Sequence, residues 1–271
     1  MDILSEIIAN KRIEIEQPDY FQALETVVEE LPHVGTSCDD CDGMPARTPT
    51  PDFIEALTSV PMGLIAEAKR QSPSAGPIRE PFEPAEIVKA CEAAGAQAVS
   101  CLMDNKYFGG GEKQWNEVRE ATKLPMLYKE FVIDPRQIFH AEALGASAVL
   151  LIVAALTDTE LGSFIQLTEA SGMTPLVEVH TEEEMKRAVA ANAQCIGINN
   201  RNLKTFETKI ETTLKLMKLA PANCTLISES GIRTADDIRT LRTAGIAAVL
   251  VGESLLRQPD VEQAVKTLMA I

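Results

Sequence analysis

Long hydrophobic runs are missing from this sequence. Apolar residues make up 45% of its 271 positions, but they come in short runs. None of these runs reaches the ~20 residues that a membrane-spanning helix needs. The first segment, MDILSEIIANKRIEIEQ, mixes charges into an apolar pattern and lacks the apolar core of a signal peptide. We therefore expect an amphipathic N-terminal helix and no contact with a membrane.

Positive charge is scarce as well. The formal net charge is −15, and the sequence contains no basic tract. Nucleic acids and acidic membrane surfaces are bound by clustered Lys and Arg side chains, so neither is expected as a partner. A local basic pocket for a small anion remains compatible with this charge.

A complete set of metal ligands is also lacking. Cys38 and Cys41 form a single CxxC in a polar loop, and His33 is the only histidine close to them. A structural zinc site usually needs four such ligands, so we expect no metal and leave the role of this loop open. The other four cysteines lie in apolar helix or strand patterns and are expected to be reduced core thiols: Cys91, Cys101, Cys195 and Cys224.

A repeating unit starts near Met62. A short apolar run, a polar turn and a helical pattern follow one another eight times. The predicted strands are GLIAEAK, AQAVSCL, PMLYKEF, ASAVLLIV, TPLVEVH, QCIGINN, CTLISES and IAAVLVG. Strands that alternate with helices pair in parallel, and eight such units most simply close into a (β/α)8 TIM barrel. An open doubly wound sheet is the alternative, but no G-x-G-x-x-G follows the first strand.

The domain prediction follows from this pattern. We expect one α/β domain over residues 1–271, with the barrel in residues 62–271 and a helical extension and loop in residues 1–61. Helical patterns between the strands open with Asp or Thr, which are good N-caps. Several of them end at a glycine suited to a left-handed cap: Gly95, Gly145 and Gly245.

Polar side chains stand at the ends of five predicted strands. Active sites of such barrels lie at the C-terminal ends of the strands, where residues i and i+2 share a face. The strand-end residues are Glu67 and Lys69 (first strand), Lys129 (third), Glu178 (fifth), Asn199 and Arg201 (sixth), and Glu229 (seventh). This pattern predicts that they meet at one mouth, either as catalytic groups or as a structural ion-pair network.

Two further sets of residues flank the same mouth. Ser230-Gly231 and Gly252-Glu253 follow the last two strands, where many barrels bind a phosphate group with backbone N–H groups. Ser72 and Ser74 lie in a Pro- and Gly-shaped turn that is either an anion contact and lid or an ordinary turn. Large apolar residues near the strand ends could receive an aromatic ligand: Phe108, Phe131, Leu150, Phe206 and Leu250.

These residues lie in segments that resemble a known family. AEAKRQSPSAG, NKYFGGG, YKEFVIDPRQI, VLLIVAAL, LVEVH, GINNRNLKTF, ISESGI and VLVGESLL occur in the order typical of indole-3-glycerol phosphate synthase, and ILSEIIANKRIEI matches as well. The resemblance implies a TIM barrel with an N-terminal helical extension. It also implies ring closure, decarboxylation and dehydration of 1-(2-carboxyphenylamino)-1-deoxy-D-ribulose 5-phosphate in tryptophan biosynthesis, without metal or organic cofactor.

The same resemblance implies roles for single residues. Lys129 matches the general acid and Glu178 the general base, while the division of acid roles between Lys129 and Lys69 stays open. The other catalytic or substrate-binding positions are Glu67, Lys69, Asn199, Arg201, Glu229 and Ser230. Gly231, Gly252 and Glu253 match the phosphate segment, and the five apolar residues match the anthranilate pocket. Many members carry Ser where this chain has Glu253, so only its backbone N–H can serve, with help from Ser254.

Two rival functions differ in the residues they require. A phosphoribosylanthranilate isomerase, by resemblance, carries Cys at the end of the first strand, where this chain has Glu67 and Lys69. An inert sugar-phosphate-binding barrel is expected to lose the acid and the base, but Lys129 and Glu178 are both present. We expect a monomer, located in the cytoplasm or, in a photosynthetic eukaryote, in the plastid stroma.

Overall fold

Eight parallel strands close into a barrel in the computed structural model, which describes residues 3–17, 20 and 50–270. Each lies within one of the eight segments predicted from the sequence, so the barrel prediction is confirmed. The barrel strands are β1 (Gly63–Ala68), β4 (Ala98–Leu102), β5 (Met126–Lys129), β6 (Ala148–Ile152), β7 (Thr174–Val179), β8 (Cys195–Asn199), β9 (Thr225–Glu229) and β10 (Ala248–Val251). Pairing of β1 with both β4 and β10 closes the ring.

Within the described residues, two helices precede the first strand, and the others lie between or after the barrel strands. The helices are α1 (Ile3–Glu14), α2 (Phe53–Thr58), α3 (Pro84–Ala93), α4 (Asn105–Phe108), α5 (Glu112–Ala121), α6 (Pro135–Ala143), α7 (Asp158–Ala170), α8 (Glu182–Ala190), α9 (Glu211–Leu216), α10 (Ala235–Ala244), α11 (Glu253–Leu256) and α12 (Val261–Leu268). Two 3₁₀ turns add Val153–Ala155 and Met217–Leu219. The predicted N-caps Thr181 and Thr234 each accept a backbone N–H, and Gly245 caps α10 with a φ of +98°.

Strand alternation divides the core into two parts. One set of strand side chains fills the barrel interior, among them Ile65, Leu127 and Leu176. The alternate set packs outward against the helices. Three of the four cysteines predicted to be core thiols are buried, whereas Cys224 is only partly buried. The expectation was wrong for Cys224 because this residue precedes β9 instead of lying within it.

The loop after β1 forms a small hairpin. Strands β2 (Gln71–Ser72) and β3 (Gly76–Pro77) pair in antiparallel fashion around the Ser-Pro-Ser turn. The Ser72 hydroxyl accepts the backbone N–H of Ala75 at 3.2 Å, as in an ordinary serine turn. Ser74 instead accepts a hydrogen bond from Arg201 Nη1 at 2.9 Å, so the turn also contacts the barrel mouth.

One buried lysine connects helix α1 to the barrel. Lys11 Nζ lies 2.6 Å from Glu14, 3.2 Å from Asp104 and 3.1 Å from Glu130, and the lysine side chain is only 1% exposed. Burial lowers the pKa of Lys11, but Glu130 and the other acidic neighbours outweigh it and hold this pKa above its usual range. The lysine therefore stays charged and links α1 to the loops that follow β4 and β5.

We predict that Lys11→Met lowers the free energy of unfolding by about 3–5 kcal/mol, because it leaves buried carboxylates without their counter-ion. Chemical denaturation followed by circular dichroism measures this change. Lys89→Met is the matched control, since the Lys89–Glu86 pair is largely exposed. Its loss should cost less than about 1 kcal/mol. Equal effects of the two substitutions would show that the Lys11 cluster does not stabilise the fold.

The Cys38–Cys41 loop lies outside the residues that the structure describes. Within residues 3–17, 20 and 50–270, no helix is both long enough and apolar enough to cross a membrane.

Candidate active site

A cavity of about 560 Å³ opens at the C-terminal ends of the barrel strands. Every residue that the sequence singled out as a site residue lines it. The convergence predicted from strand alternation is therefore present in the structure.

The charged centre contains two lysines, each paired with acidic residues. Lys129 Nζ lies 2.6 Å from Glu229 Oε2 and 3.1 Å from Glu178 Oε2. Lys69 contacts the carboxylate of Glu67, as the i, i+2 spacing at the end of β1 predicts. The four strands that supply these groups are β1, β5, β7 and β9. The ammonium of Lys129 is thus held from two sides and faces the cavity.

Burial and ion pairing set the charge of these groups. Burial lowers the pKa of Lys129, but Glu229, Glu178 and Glu67 together raise it above its usual range. Burial raises the pKa of Glu178 and of Glu67. Lys129 and His180 nevertheless hold the pKa of Glu178 below its usual value. Lys69 and Lys129 do the same for the pKa of Glu67. Glu229 is different, because burial, opposed by Lys129, raises its pKa to about 7. Near neutral pH, Lys129, Glu178 and Glu67 are therefore charged, and Glu229 exchanges its proton most readily.

Glycines make room for two of these carboxylates. A Cβ on Gly197 of β8 would lie 2.1 Å from Glu229 Oε1, and one on Gly252 would lie 2.9 Å from Glu67 Oε1. Sequence reasoning missed Gly197, although an isolated glycine inside a strand is a signal of close approach. These two carboxylates therefore fit only because Gly197 and Gly252 have no Cβ atom.

We predict that Gly197→Ala lowers kcat by about 100-fold, since the displaced Glu229 no longer positions Lys129. The loss of stability should stay near 1–2 kcal/mol, about the usual cost of overpacking, because the carboxylate is the end of a side chain and can turn away. Steady-state kinetics and denaturant unfolding measure the two effects.

Gly162→Ala is the matched control, since nothing lies within 4 Å of a Cβ built at this helical position. It should leave kcat unchanged and stabilise the protein by about 0.4–1 kcal/mol. Unaltered turnover in the Gly197 variant would show that Glu229 does not need this position to support activity.

Loops form the anion-binding side of the cavity. Ser230 and Gly231 both have positive φ values, +66° and +78°, which turn the chain sharply after β9. Asn200 holds this turn, because its side chain donates to the carbonyl of Ser230 at 3.0 Å. Gly252 and Glu253 stand beside it after β10. Sequence reasoning missed Asn200, since its partners become neighbours only when β8 and β9 pair.

The carboxylate of Glu253 is turned toward two arginines. It lies 2.9 Å from Arg257 Nε and 3.7 Å from Arg201 Nη2. The hydroxyl of Ser254 donates to the carbonyl of Ile232 at 2.9 Å, so its proton is already engaged. We expected Ser254 to help bind an anion, but its hydroxyl proton is hydrogen-bonded to Ile232 instead.

Asn199 and Arg201 act as one unit at the end of β8. The Asn199 side-chain oxygen accepts the backbone N–H of Arg201 at 3.0 Å, and Arg201 reaches across to Ser74. Arg233 and Arg257 also line the cavity, and sequence reasoning missed both. This side of the cavity therefore suits an anionic ligand.

Apolar side chains form the opposite wall. The rings of Phe108 and Phe131 are 5.9 Å apart, and Leu150 and Leu250 lie on the barrel floor. Phe206 lines the rim and is 39% exposed, with a φ of +61°. Helix α1 adds three residues that the sequence did not connect with the site: Ile3, Leu4 and Ile7. This wall is therefore apolar and partly aromatic.

The part of the chain that the structure describes contains no group of three or more His, Cys, Asp or Glu side chains that could hold a metal ion. The chemistry available at the mouth is acid–base chemistry by lysines and carboxylates, with arginines and backbone amides to bind anions.

Comparison with known proteins points to one family. The family model of indole-3-glycerol phosphate synthase matches residues 4–268. A protein of that name from Geobacillus thermodenitrificans is 43% identical over 269 residues, which cover 98% of this chain and 96% of the relative. One from Carboxydothermus hydrogenoformans is 46% identical over 210 residues, or 77% of this chain and 80% of the relative.

A solved structure supports the fold alone. A crystal structure of 3-hexulose-6-phosphate synthase superposes with a TM-score of 0.61 and covers 77% of this chain and 99% of that one. Its sequence is 13% identical, so it is evidence for the barrel and not for a shared reaction.

Proposed function

The chain belongs to the indole-3-glycerol phosphate synthase family, and we propose how its own residues carry out the family's reaction. It is a carboxy-lyase of tryptophan biosynthesis that forms indole-3-glycerol phosphate from 1-(2-carboxyphenylamino)-1-deoxy-D-ribulose 5-phosphate, with release of carbon dioxide and water. This assignment sets aside both rival functions, the isomerase and the inert barrel. The observation that carries the proposed mechanism is the position of Lys129 between Glu178 and Glu229 at the cavity.

The substrate has an aromatic end and two anionic groups. The aromatic end matches the apolar wall, and the two anionic groups match the anion-binding side of the cavity. The anthranilate ring packs against the apolar wall around Phe108 and Phe131. The phosphate is bound by backbone N–H groups at Gly231, Gly252 and Glu253. The planar guanidinium of Arg201 anchors the carboxylate, a geometry that arginine matches better than lysine. Lys69 can share this carboxylate.

Ring closure is the first chemical step. An aromatic carbon attacks the ketone carbon, the carbonyl π bond breaks, and negative charge grows on the oxygen. Lys129 donates a proton to that oxygen, which becomes a hydroxyl group. Glu178 and Glu229 orient the ammonium for this transfer.

Loss of carbon dioxide follows without an external electron acceptor. Ring closure leaves the nitrogen and former aromatic ring as a conjugated iminium cation. When the bond to the carboxylate breaks, its electron pair flows into this cation and restores the aromatic ring. The substrate therefore serves as its own electron sink, the function that pyridoxal or thiamine supplies in other decarboxylations.

Dehydration completes the indole. The hydroxyl leaves as water after an acid protonates it, and a base removes a proton from the neighbouring ring carbon. We assign these steps to Lys69 and Glu178. Glu67 contacts the ammonium of Lys69 at the end of β1 and orients it.

Product formation tests the function directly. The purified protein is incubated with the carboxyphenylamino-deoxyribulose phosphate, and indole fluorescence is followed. We expect a steady rise with wild-type protein, at a rate proportional to enzyme concentration. A folded sample that yields no indole product would contradict the assignment.

We also propose that the enzyme is a monomer of the cytoplasm. Large hydrophobic side chains that are exposed in the described residues lie on three different segments: Ile13, Phe206 and Leu219. Such single exposed residues are normal on a monomer surface. The relatives above are bacterial enzymes, which supports the location. Light scattering on the purified protein tests the oligomeric state.

A further inference from the structure

One histidine with a largely buried side chain lies next to the charged centre and has no place in the mechanism described so far. His180 follows β7, two residues after Glu178, and its side chain is 7% exposed. Its Nε2 lies 3.3 Å from Glu178 Oε1, and its Nδ1 lies 3.0 Å from Glu184 Oε2. We infer that His180 is a positioning residue, an imidazolium that keeps Glu178 ionised and turned toward the cavity. The inference rests on the proposed function, because it concerns the base of that reaction.

The carboxylate of Glu178 is held by two cations, one on each oxygen. Oε2 faces Lys129 Nζ at 3.1 Å, and Oε1 faces His180 Nε2. Lys129 lines the cavity, whereas His180 is absent from the cavity lining. The Nε2 atom makes no regular hydrogen bond, so its contact with Glu178 is an ion pair of imperfect angle. His180 can thus orient Glu178 without touching the substrate.

Helix α8 fixes the histidine ring. Glu184 lies in the first turn of this helix, and its backbone N–H is capped by the Thr181 side chain. The Glu184 carboxylate also accepts the backbone N–H of His180 at 2.8 Å. A single carboxylate oxygen therefore binds both the ring and the backbone of His180. Such a double contact leaves the imidazole little freedom to turn away from Glu178.

Electrostatics agree with a charged ring. Burial lowers the pKa of His180, but Glu178 and Glu184, the charged groups that act on it from β7 and α8, outweigh burial and raise this pKa to about 10. Lys129 and His180 act together on Glu178, whose pKa burial alone would raise, and they hold it below its usual value. Both groups of the pair are therefore charged at neutral pH.

The positive charge of His180 makes the pKa values of Glu178 and Glu229 differ, although both carboxylates contact the same lysine. Glu178 and Glu229 both contact Lys129, and close carboxylates cannot both stay ionised without further compensation. His180 contacts Glu178 and not Glu229, whose pKa is raised to about 7. The histidine thereby decides which of the two stays ionised as the base and which accepts a proton first.

The test combines His180→Gln and Glu184→Gln with Glu183→Gln as a matched control. Glu183 lies on the same helix, is exposed, and undergoes the same chemical change as Glu184. The pH profile of kcat/KM is measured for each protein, together with its melting temperature. For His180→Gln we expect kcat/KM at pH 7 to fall about tenfold and the acid limb to move up by about one pH unit, since the loss of a nearby cation favours protonation of the carboxylates.

The Glu184 variant should act through the histidine. Loss of one carboxylate lowers the pKa of His180, so the basic limb should move to lower pH, while the control keeps the wild-type profile. NMR titration reads the ring directly, because the chain has three histidines and the His180 variant identifies its signal. We expect the ring to stay protonated well above neutral pH in the wild-type protein.

Two results would overturn the inference. One is a ring that titrates below pH 7 in the wild-type protein. The other is a His180 variant with a lower melting temperature but an unchanged pH profile, which indicates a purely structural role. Failure of the proposed function looks different, because wild-type protein would then form no indole product while the NMR titration would still report the charge of His180.

Discussion

Lys129→Ala is expected to lower kcat by about 10²–10⁴-fold, the usual contribution of a positioned general acid. The substrate carbonyl oxygen would have to become a hydroxyl group without its proton donor. The apolar wall and the anion-binding side of the cavity stay intact. Substrate binding should therefore survive. Indole fluorescence gives kcat. An analogue with the ketone reduced to an alcohol gives the dissociation constant, since it cannot close the ring.

Removal of this lysine also leaves Glu178 and Glu229 without their shared counter-ion, which could disturb folding instead of chemistry. The double variant Lys129→Met/Glu229→Gln separates the two effects, because it removes one cation and one anion together. It should unfold cooperatively, bind the analogue and still lack turnover. A folded, binding-competent single variant with near-normal kcat would show that Lys129 is not the acid.

The placement of Lys129 and its partners was predictable because it depends on two local rules. Alternation sets which side chains face the barrel interior, and the ends of parallel strands meet at one mouth. Glu67 and Lys69 illustrate this, since their i, i+2 spacing alone predicted a common face. No long-range information was needed to expect these residues at the site.

Features that depend on strand register or on contacts between distant segments could not be predicted in the same way. Gly197 must be a glycine because Glu229, which pairs with Asn199 two residues further along β8, extends its carboxylate over Gly197. Lys11 contacts Glu130, which is 119 residues away in the sequence. No periodic pattern in the sequence connects the two. His180 and Asn200 lie within segments that match the family, but the sequence does not show which residues they contact. Sequence patterns therefore predicted the groups that line the cavity better than those that hold them in place.

The second large effect is expected for Glu178→Gln, which keeps the shape of the side chain and removes its basicity. Lys129 remains paired with Glu229, so the acid for ring closure is still charged and held. Dehydration, in contrast, loses the base that removes the ring proton. We expect indole formation to slow by about 10²–10⁴-fold, as for other general bases, while ring closure and decarboxylation suffer less.

This difference can be measured because carbon dioxide and indole arise in separate steps. In a single turnover with excess Glu178→Gln enzyme, carbon dioxide should appear well before indole fluorescence, and a hydroxylated, non-aromatic five-membered ring should accumulate between them. Glu183→Gln, an exposed amide substitution near the site, should release both products together at the wild-type rate. If carbon dioxide and indole slow in parallel in the Glu178 variant, Glu178 acts at ring closure, and the base for dehydration must be sought among Glu229 and Glu67.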